Sequence, residues 1–289
     1  MRLERKNHGN SHSYILDGEK VPGVTTVIGV LDKPALVAWA AQQTAAFADD
    51  NWSRLSEMRS AERLREMEQA RFNTNRVAVV RGNRVHALGD RIAHGETVDV
   101  PADLQPYVEP YARMLDMWQM QTVFTEAPVA HTAYRYAGTL DLVVESPRFG
   151  RSLLDIKTGK RVYPEVALQL NAYANCDLRL VAQERTGPRG GKYTDWIDAP
   201  MPRIDTLLCA HLMNGAVELV PVEMNDHWFD QFLHMLDIFD GWVKRTSYEY
   251  RDDDAHHSPI GEPIWPEDAE PLPLTADDTK GRDPWLAGA

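Results

Sequence analysis

Tyr136-Ala137-Gly138-Thr139-Leu140-Asp141-Leu142-Val143-Val144-Glu145, the linker Ser146-Pro147-Arg148-Phe149-Gly150, and Ser152-Leu153-Leu154-Asp155-Ile156-Lys157 together decide how this chain folds. The outer segments are apolar-rich and of strand length, and the linker carries Ser, Pro and Gly, residues that make turns. They read as two β-strands joined across a short turn. Side chains alternate along a strand, so Asp155 and Lys157 share one face and Ile156 takes the other. Pairing of the strands brings Asp141 alongside, and two carboxylates and one ammonium converge at one end of a sheet. Carboxylates held together repel and call for a cation. Hard oxygen donors suit Mg²⁺ or Mn²⁺, and Asp141 and Asp155 are the expected ligands. A lysine beside such an ion can stabilise an oxyanion or orient a water. The set suits hydrolysis of a phosphodiester. A lone Asp-x-Lys is equally a surface ion pair on an ordinary hairpin, so the flanking motifs decide between the two.

Downstream, a helical pattern over 164–177 sets Gln169 and Tyr173 one turn apart on one face. Upstream, Arg81-Gly82-Asn83-Arg84-Val85-His86 lies in a helical pattern over 75–94. Asp90 follows His86 by one turn, and His94 follows Asp90 by another. Glu126 falls on a strand predicted over 123–131. Each reads blandly when taken singly: His86 as a buried, hydrogen-bonded histidine, Asp90 as the partner of His94, Glu126 as a core-edge or surface residue, and Gln169 with Tyr173 as ordinary helix polarity.

Taken in order, Arg-Gly-x-x-Val-His, Gly-Thr-Leu-Asp, Asp-Ile-Lys-Thr-Gly and Gln-Leu-Asn-Ala-Tyr resemble the PD-(D/E)XK nuclease superfamily. More narrowly they resemble its RecB-like exonuclease branch, which includes exonucleases of actinobacterial phages. The resemblance covers residues 86–173 by motif and extends more weakly to Val24-Thr25-Thr26-Val27-Ile28. It implies an α/β (α+β) fold: a central mixed β-sheet flanked by helices, a restriction-endonuclease-like core with an N-terminal helical elaboration. It implies that His86 and the carbonyl of Ile156 add to Asp141 and Asp155 as metal ligands, and that Glu126 can reach the site. Lys157 would position the attacking water, and Gln169 and Tyr173 would contact the active site or the DNA strand. The implied cofactor is Mg²⁺, with Mn²⁺ able to substitute. The implied partner is DNA, as linear duplex or single-stranded ends, and the implied role lies in recombination, replication or repair. Two other readings stay open: a site- or structure-specific endonuclease on the same fold, and a catalytically inactive DNA-end binding module. Intact Asp141, Asp155 and Lys157 weigh against the last.

The 289 residues are 43% hydrophobic and 26% charged, an ordinary globular composition. No apolar run approaches the roughly 20 residues of a membrane span. The charged start Met1-Arg2-Leu3-Glu4-Arg5-Lys6 is unlike a signal peptide. Only Cys176 and Cys209 are present, which excludes a four-cysteine cluster within one chain, including that of the CRISPR-associated relatives of the branch. A reducing cytoplasm, that of the host for a phage protein, is the expected compartment. The net charge of −12 opposes strong non-specific DNA binding. Residues 251–289 hold ten acidic and three basic residues, leaving −5 over residues 1–250. That tail also has six of the 18 prolines and reads as disordered. Its His256 and His257 read as a solvated pair, and its removal from residue 255 onward is expected to leave folding and cleavage unchanged unless Trp265 or Trp285 docks on the core.

The expected organisation is one nuclease domain over 1–250, with a helical part at 24–121 and a catalytic core at 122–250. Along it the sequence predicts a small hairpin over 12–22 and a short helix from Thr25 to Leu31. A helix from Pro34 to Asp49 follows, with Leu36, Val37, Trp39 and Ala40 as its apolar stripe. A charged helix over 56–72 precedes the His86 helix. A helix over 101–121 has Tyr107, Tyr111, Met114, Leu115 and Trp118 as core and Pro110 as a kink. Residues 183–202, with Arg185, Arg189 and Lys192, read as a mobile loop; Gly190-Gly191-Lys192-Tyr193 lacks the glycine spacing and Ser/Thr of a phosphate loop. Strands over 206–213 and 216–222 meet at Asn214-Gly215, and a helix over 226–245 closes the domain. Serine and cysteine hydrolase patterns are absent: there is no Gly-x-Ser-x-Gly, and Cys176 lies in a helical segment without an evident partner.

Overall fold

The structure, a computed structural model, describes residues 2–8, 11–188 and 190–246, with backbone alone at 74, 75 and 77. The tail expectations, with His256, His257, Trp265 and Trp285, lie outside the described residues, as does Arg189. The chain divides into two units, 1–233 and 234–289, and the candidate site lies wholly in the first.

The chain opens with β1 (Leu3–His8), β2 (Ser11–Leu16) and β3 (Glu19–Val21), a three-stranded antiparallel sheet. Asp17 and Gly18, between β2 and β3, have φ of 51° and 85°, as a two-residue hairpin turn requires. β1 went unforeseen because only Leu3 of Leu-Glu-Arg-Lys-Asn-His is buried, which leaves no alternation to read. Leu3, Tyr14, Leu16 and Val21 pack with Ala130, Ala137 and Leu180 of the main sheet.

Five helices follow: α1 (Val24–Ile28), α2 (Pro34–Asp50), α3 (Trp52–Leu55), α4 (Ser60–Ala93) and α5 (Gln105–Met117). The two helices expected over 56–72 and 75–94 are one 34-residue helix, α4; nothing between Phe72 and Arg76 interrupts it. The expected stripe of α2 is not a core stripe. None of its residues is buried, and Leu36 and Val37 are 56% and 71% exposed. α2 packs along α4 rather than on the sheet, so its apolar side chains have no core to enter. α5 is shorter than the expected 101–121 but carries the expected core: Tyr111, Met114 and Leu115 are buried, and Tyr107 and Trp118 pack against the same cluster; Pro110 lies within the helix.

The main sheet is built from β4 (Gln121–His131), β5 (Tyr136–Ser146), β6 (Gly150–Lys157), β7 (Leu178–Thr186), β8 (Lys192–Pro200), β9 (Thr206–Met213) and β10 (Ala216–Val222). Helix α6 (Glu165–Ala174) links β6 to β7, and α7 (Asp226–Ile238) follows β10. The strand order is β10-β9-β6-β5-β4-β7-β8. Neighbours are antiparallel except β6 and β9, which run parallel from Ser152↔Thr206 to Lys157↔His211. This is the expected mixed sheet flanked by helices. On one face α4 and α5 bury Val85, Val108, Tyr111 and Met114 against Leu142, Leu154, Ile156 and Leu208. On α6's side, the Tyr136 hydroxyl donates to the Ala172 carbonyl at 2.8 Å. The helix expected to run to Arg245 changes at Phe239–Val243 to a π-helical turn.

Residues 183–202 are not a loop. β7 and β8 form a paired hairpin from Leu178↔Pro200 to Thr186↔Lys192. Its outer part is solvent-exposed on both faces, so neither face needs apolar residues and the period-two signal vanishes. Among the described residues no helix is long and apolar enough to cross a membrane.

Candidate metal centre

The β5–β6 register runs from Ser146↔Gly150 to Leu142↔Leu154 and stops there. Asp141 and Asp155 therefore lie just where the strands part. Across the gap the Ile156 N–H donates to Asp141 Oδ2 at 2.7 Å, so a side chain takes the place of the ladder and the carboxylate is held by backbone. The Ile156 side chain turns the other way, into the α4–α5 core.

Asp155 is only 2% exposed. Its two oxygens accept from Lys157 Nζ at 2.7 and 2.6 Å, as sharing one strand face requires. Burial pushes Asp155 up to about 6, Asp141's charge adds to this, and Lys157 opposes it. For Lys157, burial favours the neutral amine, but the charges of Asp155 and Asp141 outweigh it and raise the pKa. Lys157 Nζ also donates to Gln169 Oε1 at 3.4 Å, and Gln169 in turn bonds Tyr173. The ring of Tyr173 lies on β5 at Gly138. A Cβ at Gly138 would collide with Tyr173 Cε1, so this glycine clears the space that the tyrosine fills.

The opposite wall comes from α4 and β4. His86 Nδ1 lies 3.6 Å from Asp141 Oδ2. His86, Glu126 and Asp141 each bring one ligand atom to within 4.8 Å of the others, a group that could hold a metal ion. Glu126 has φ of 45° in the middle of a strand, a conformation that costs a non-glycine residue roughly 1–2 kcal/mol. Such strain persists only where the surroundings enforce it, and it concentrates at functional sites. Glu126 is exposed at the surface, yet crowding by the surrounding protein, followed by Asp141's charge, pushes it up to about 7. Two close carboxylates with no cation between them behave in this way.

His86, Asp90, Tyr111, Glu126, Asp141 and Ile156 line a recess of about 10 Å³, near the minimum for one water molecule. Tyr111 Oη and Asp90 Oδ1 are buried there without a hydrogen-bond partner among the described residues, although His94 Nδ1 approaches Asp90 Oδ1 to 3.5 Å. The unmet polar atoms, the strained carboxylate and the converging donors all fit a bound cation.

The expected residues thus fall into two adjoining groups. His86 and Asp141 come together with Glu126. Asp155, Lys157, Gln169 and Tyr173 form a hydrogen-bonded arm on the other side of Asp141. Glycines of α4 act as spacers: a Cβ at Gly82 would lie 3.3 Å from Thr158 Oγ1, and one at Gly89 would lie 3.3 Å from Tyr111 Cε1. Sequence reasoning missed Tyr14, whose hydroxyl bonds Thr139 Oγ1 at 2.8 Å. It also missed His211, buried beside Lys157 in the β6–β9 register, with Nε2 2.9 Å from the Gly159 carbonyl and Nδ1 3.4 Å from Glu218 Oε2. A polar residue inside the apolar run Leu207-Leu208-Cys209-Ala210-His211-Leu212 was a signal for the latter; Tyr14 gave none. No model of a known protein family matches the chain, and no curated protein does.

Proposed function

We propose that this protein is a metal-dependent deoxyribonuclease that hydrolyses phosphodiester bonds from DNA ends, built on a PD-(D/E)XK-like core. The observation that carries the reading is the meeting of His86, Glu126 and Asp141 where β5 and β6 part, with Lys157 held on the adjoining strand by Asp155. His86, Glu126 and Asp141, with Asp155 adjacent, would hold Mg²⁺ or Mn²⁺; one imidazole among carboxylates suits either ion. Such an ion, when bound, lowers the pKa of its water and polarises the scissile phosphate. Asp141 is fixed in place by the Ile156 N–H. Lys157, its pKa raised, keeps its proton at neutrality and offsets charge developing on the phosphate. Gln169 holds that ammonium on its outer side. Glu126, its carboxyl pushed up by crowding and by Asp141's charge in the metal-free protein, would give up its proton on taking up the ion.

An end-directed enzyme is favoured over an endonuclease by the resemblance of the His86 and Gln169/Tyr173 motifs to the RecB-like branch. The net charge of −12 opposes a protein that coats duplex. The test is to incubate the purified chain with end-labelled linear duplex and with covalently closed circles, in Mg²⁺ or in EDTA. Degradation of linear DNA in Mg²⁺ alone, with circles surviving, is expected. Rapid linearisation of circles would assign an endonuclease, and binding without cleavage under any metal would assign an end-binding module.

A further inference from the structure

A second cavity, of about 290 Å³, is walled by Arg2, Arg5, Asn7, Pro128, Leu180 and Trp196 among others. It opens between β1 and the β7–β8 hairpin, the segment that sequence reading took for a loop. Trp196 offers it an indole that is 52% exposed, and its indole N–H has no hydrogen-bond partner among the described residues. The carboxylates in the wall are already neutralised: Glu4 pairs with Arg2 at 3.2 Å and Asp195 with Arg185 at 2.9 Å. Arg5 is exposed and has no ion-pair partner among the described residues. It is the guanidinium in the wall that no salt bridge among the described residues ties up.

Two observations join this cavity to the metal centre. Pro128 in its wall lies two residues along β4 from Glu126, about 7 Å in a strand. Arg5 is also near enough to Glu126 for its charge to hold that carboxyl's pKa down. Arg5 therefore lines the cavity and lies within electrostatic reach of Glu126. A planar apolar face, an unpaired guanidinium and a path to a phosphodiester site are what an unpaired nucleotide requires: bases stack on aromatics with little regard to sequence, and phosphates pair with arginine.

We propose that the cavity is a subsite for one unpaired nucleotide of the substrate strand, adjacent to the scissile phosphate. The base stacks on Trp196 and the phosphate contacts Arg5. The assignment rests on the nuclease reading above and adds to it a frayed or single-stranded end as the form in which DNA is engaged. It also gives the β7–β8 hairpin a role as the wall that holds the strand.

Binding of a fluorescently labelled oligothymidylate to the full chain in EDTA, followed by anisotropy, tests the subsite apart from cleavage. Trp196→Ala is expected to weaken binding roughly 5- to 150-fold, the range for loss of one base–aromatic stack, and Trp196→Phe to recover most of it. Arg5→Gln should weaken binding and reduce the slope of log affinity against log salt by about 0.7, one single-strand phosphate contact. On the wild-type protein, an oligonucleotide carrying 5-iodouracil at its end should photocrosslink to Trp196, which a merely structural tryptophan would not do. If linear DNA is cleaved in Mg²⁺ while Trp196→Ala and Arg5→Gln bind like wild type and no crosslink maps to Trp196, the subsite is overturned and the nuclease reading stands. If binding and crosslinking follow the proposal but no metal supports cleavage, the subsite stands and the nuclease reading falls. A binding loss in Trp196→Ala that Trp196→Phe does not restore, with a lowered Tm and no crosslink, returns Trp196 to a packing role.

Discussion

Asp141 has two duties that substitutions can separate. Its Oδ2 accepts the Ile156 N–H, and its charge serves the metal site. Asp141→Asn keeps an acceptor and removes the charge, so cleavage is expected to vanish with Tm nearly unchanged. Asp141→Ala also strands a buried N–H, which costs about 1–3 kcal/mol, so its melt should shift as well. A folded Asp141→Asn protein that cleaves at the wild-type rate would remove Asp141 from the site. Glu126 makes a pH prediction. Its pKa is about 7 in the folded chain against an ordinary 4.5, so between those values the native state binds more protons than the unfolded one. Glu126's own contribution to the stability of the metal-free protein therefore falls as pH rises from 4.5 towards 7, while His12 and His131, which burial lowers from 6.5, act in the opposite direction over the upper part of that range. Asp155, raised from 3.8 to about 6, acts in the same direction as Glu126 at the lower end. Thermal melts in EDTA across this range, taken as wild type minus Glu126→Gln so that the histidines cancel, should show the decline, and a divalent ion at neutral pH should reverse it. A difference that stays flat over that interval would show that Glu126 is ordinarily solvated. His86 and Lys157 separate by metal titration of cleavage. His86→Ala is expected to need more metal, with excess Mn²⁺ restoring part of the rate. Lys157→Ala should lose roughly 10²–10³-fold in kcat even at saturating metal and should melt earlier, since Asp155 loses its buried partner. A Lys157→Ala defect that more metal cures would make the lysine a shaper of the metal site.

At the level of elements, β5 and β6 were legible because both signals of a buried hairpin coincided: apolar runs of strand length and a Ser-Pro…Gly turn. Their side-chain phase then gave the Asp155–Lys157 pairing directly. Asp155 and Lys157 needed only a period of two, whereas the approach of His86 from α4 depends on how a helix docks across the sheet, which no local spacing encodes. Glu126 was the hardest to place, because its backbone has a left-handed φ that a glutamate does not advertise. β7 and β8 were misread for a different reason: an exposed hairpin buries neither face and so shows no alternation. The same blindness, reversed, made α2 look like a core helix. Its Leu36 and Val37 carry the right spacing, but the partner they imply is absent from the sheet side. One prediction belongs here. Gly138 on β5 and Tyr173 on α6 fit each other, so Gly138→Ala should destabilise the protein strongly. Most of that loss should disappear in a Tyr173→Ala background, with a coupling of about 0.5–3 kcal/mol in a double-mutant cycle. Additive effects in the cycle would show that the helix shifts to accept the methyl group without cost.

Across the whole molecule, the mixed sheet was legible in outline from the resemblance, but the strand order was not, because pairing partners far apart in sequence leave no local trace. The parallel joint between β6 and β9 is the clearest case, with α6 and the β7–β8 hairpin intervening. That joint has a bearing on how the chain is made. As the polypeptide leaves the ribosome, β4, β5 and β6 can zip together locally, bringing Asp141 and Asp155 into place early. Until residues 206–213 emerge, however, β6 stays an open edge, with Leu153, Leu154 and Ile156 bare and its backbone unpaired. A nascent chain stalled near residue 200 should therefore be captured by holdase chaperones or aggregate, whereas one stalled after β10 has cleared the exit tunnel should not. The strand that carries the chemistry keeps an open edge until β9 is made, so the interval between synthesis of β6 and β9 leaves it open to mispairing.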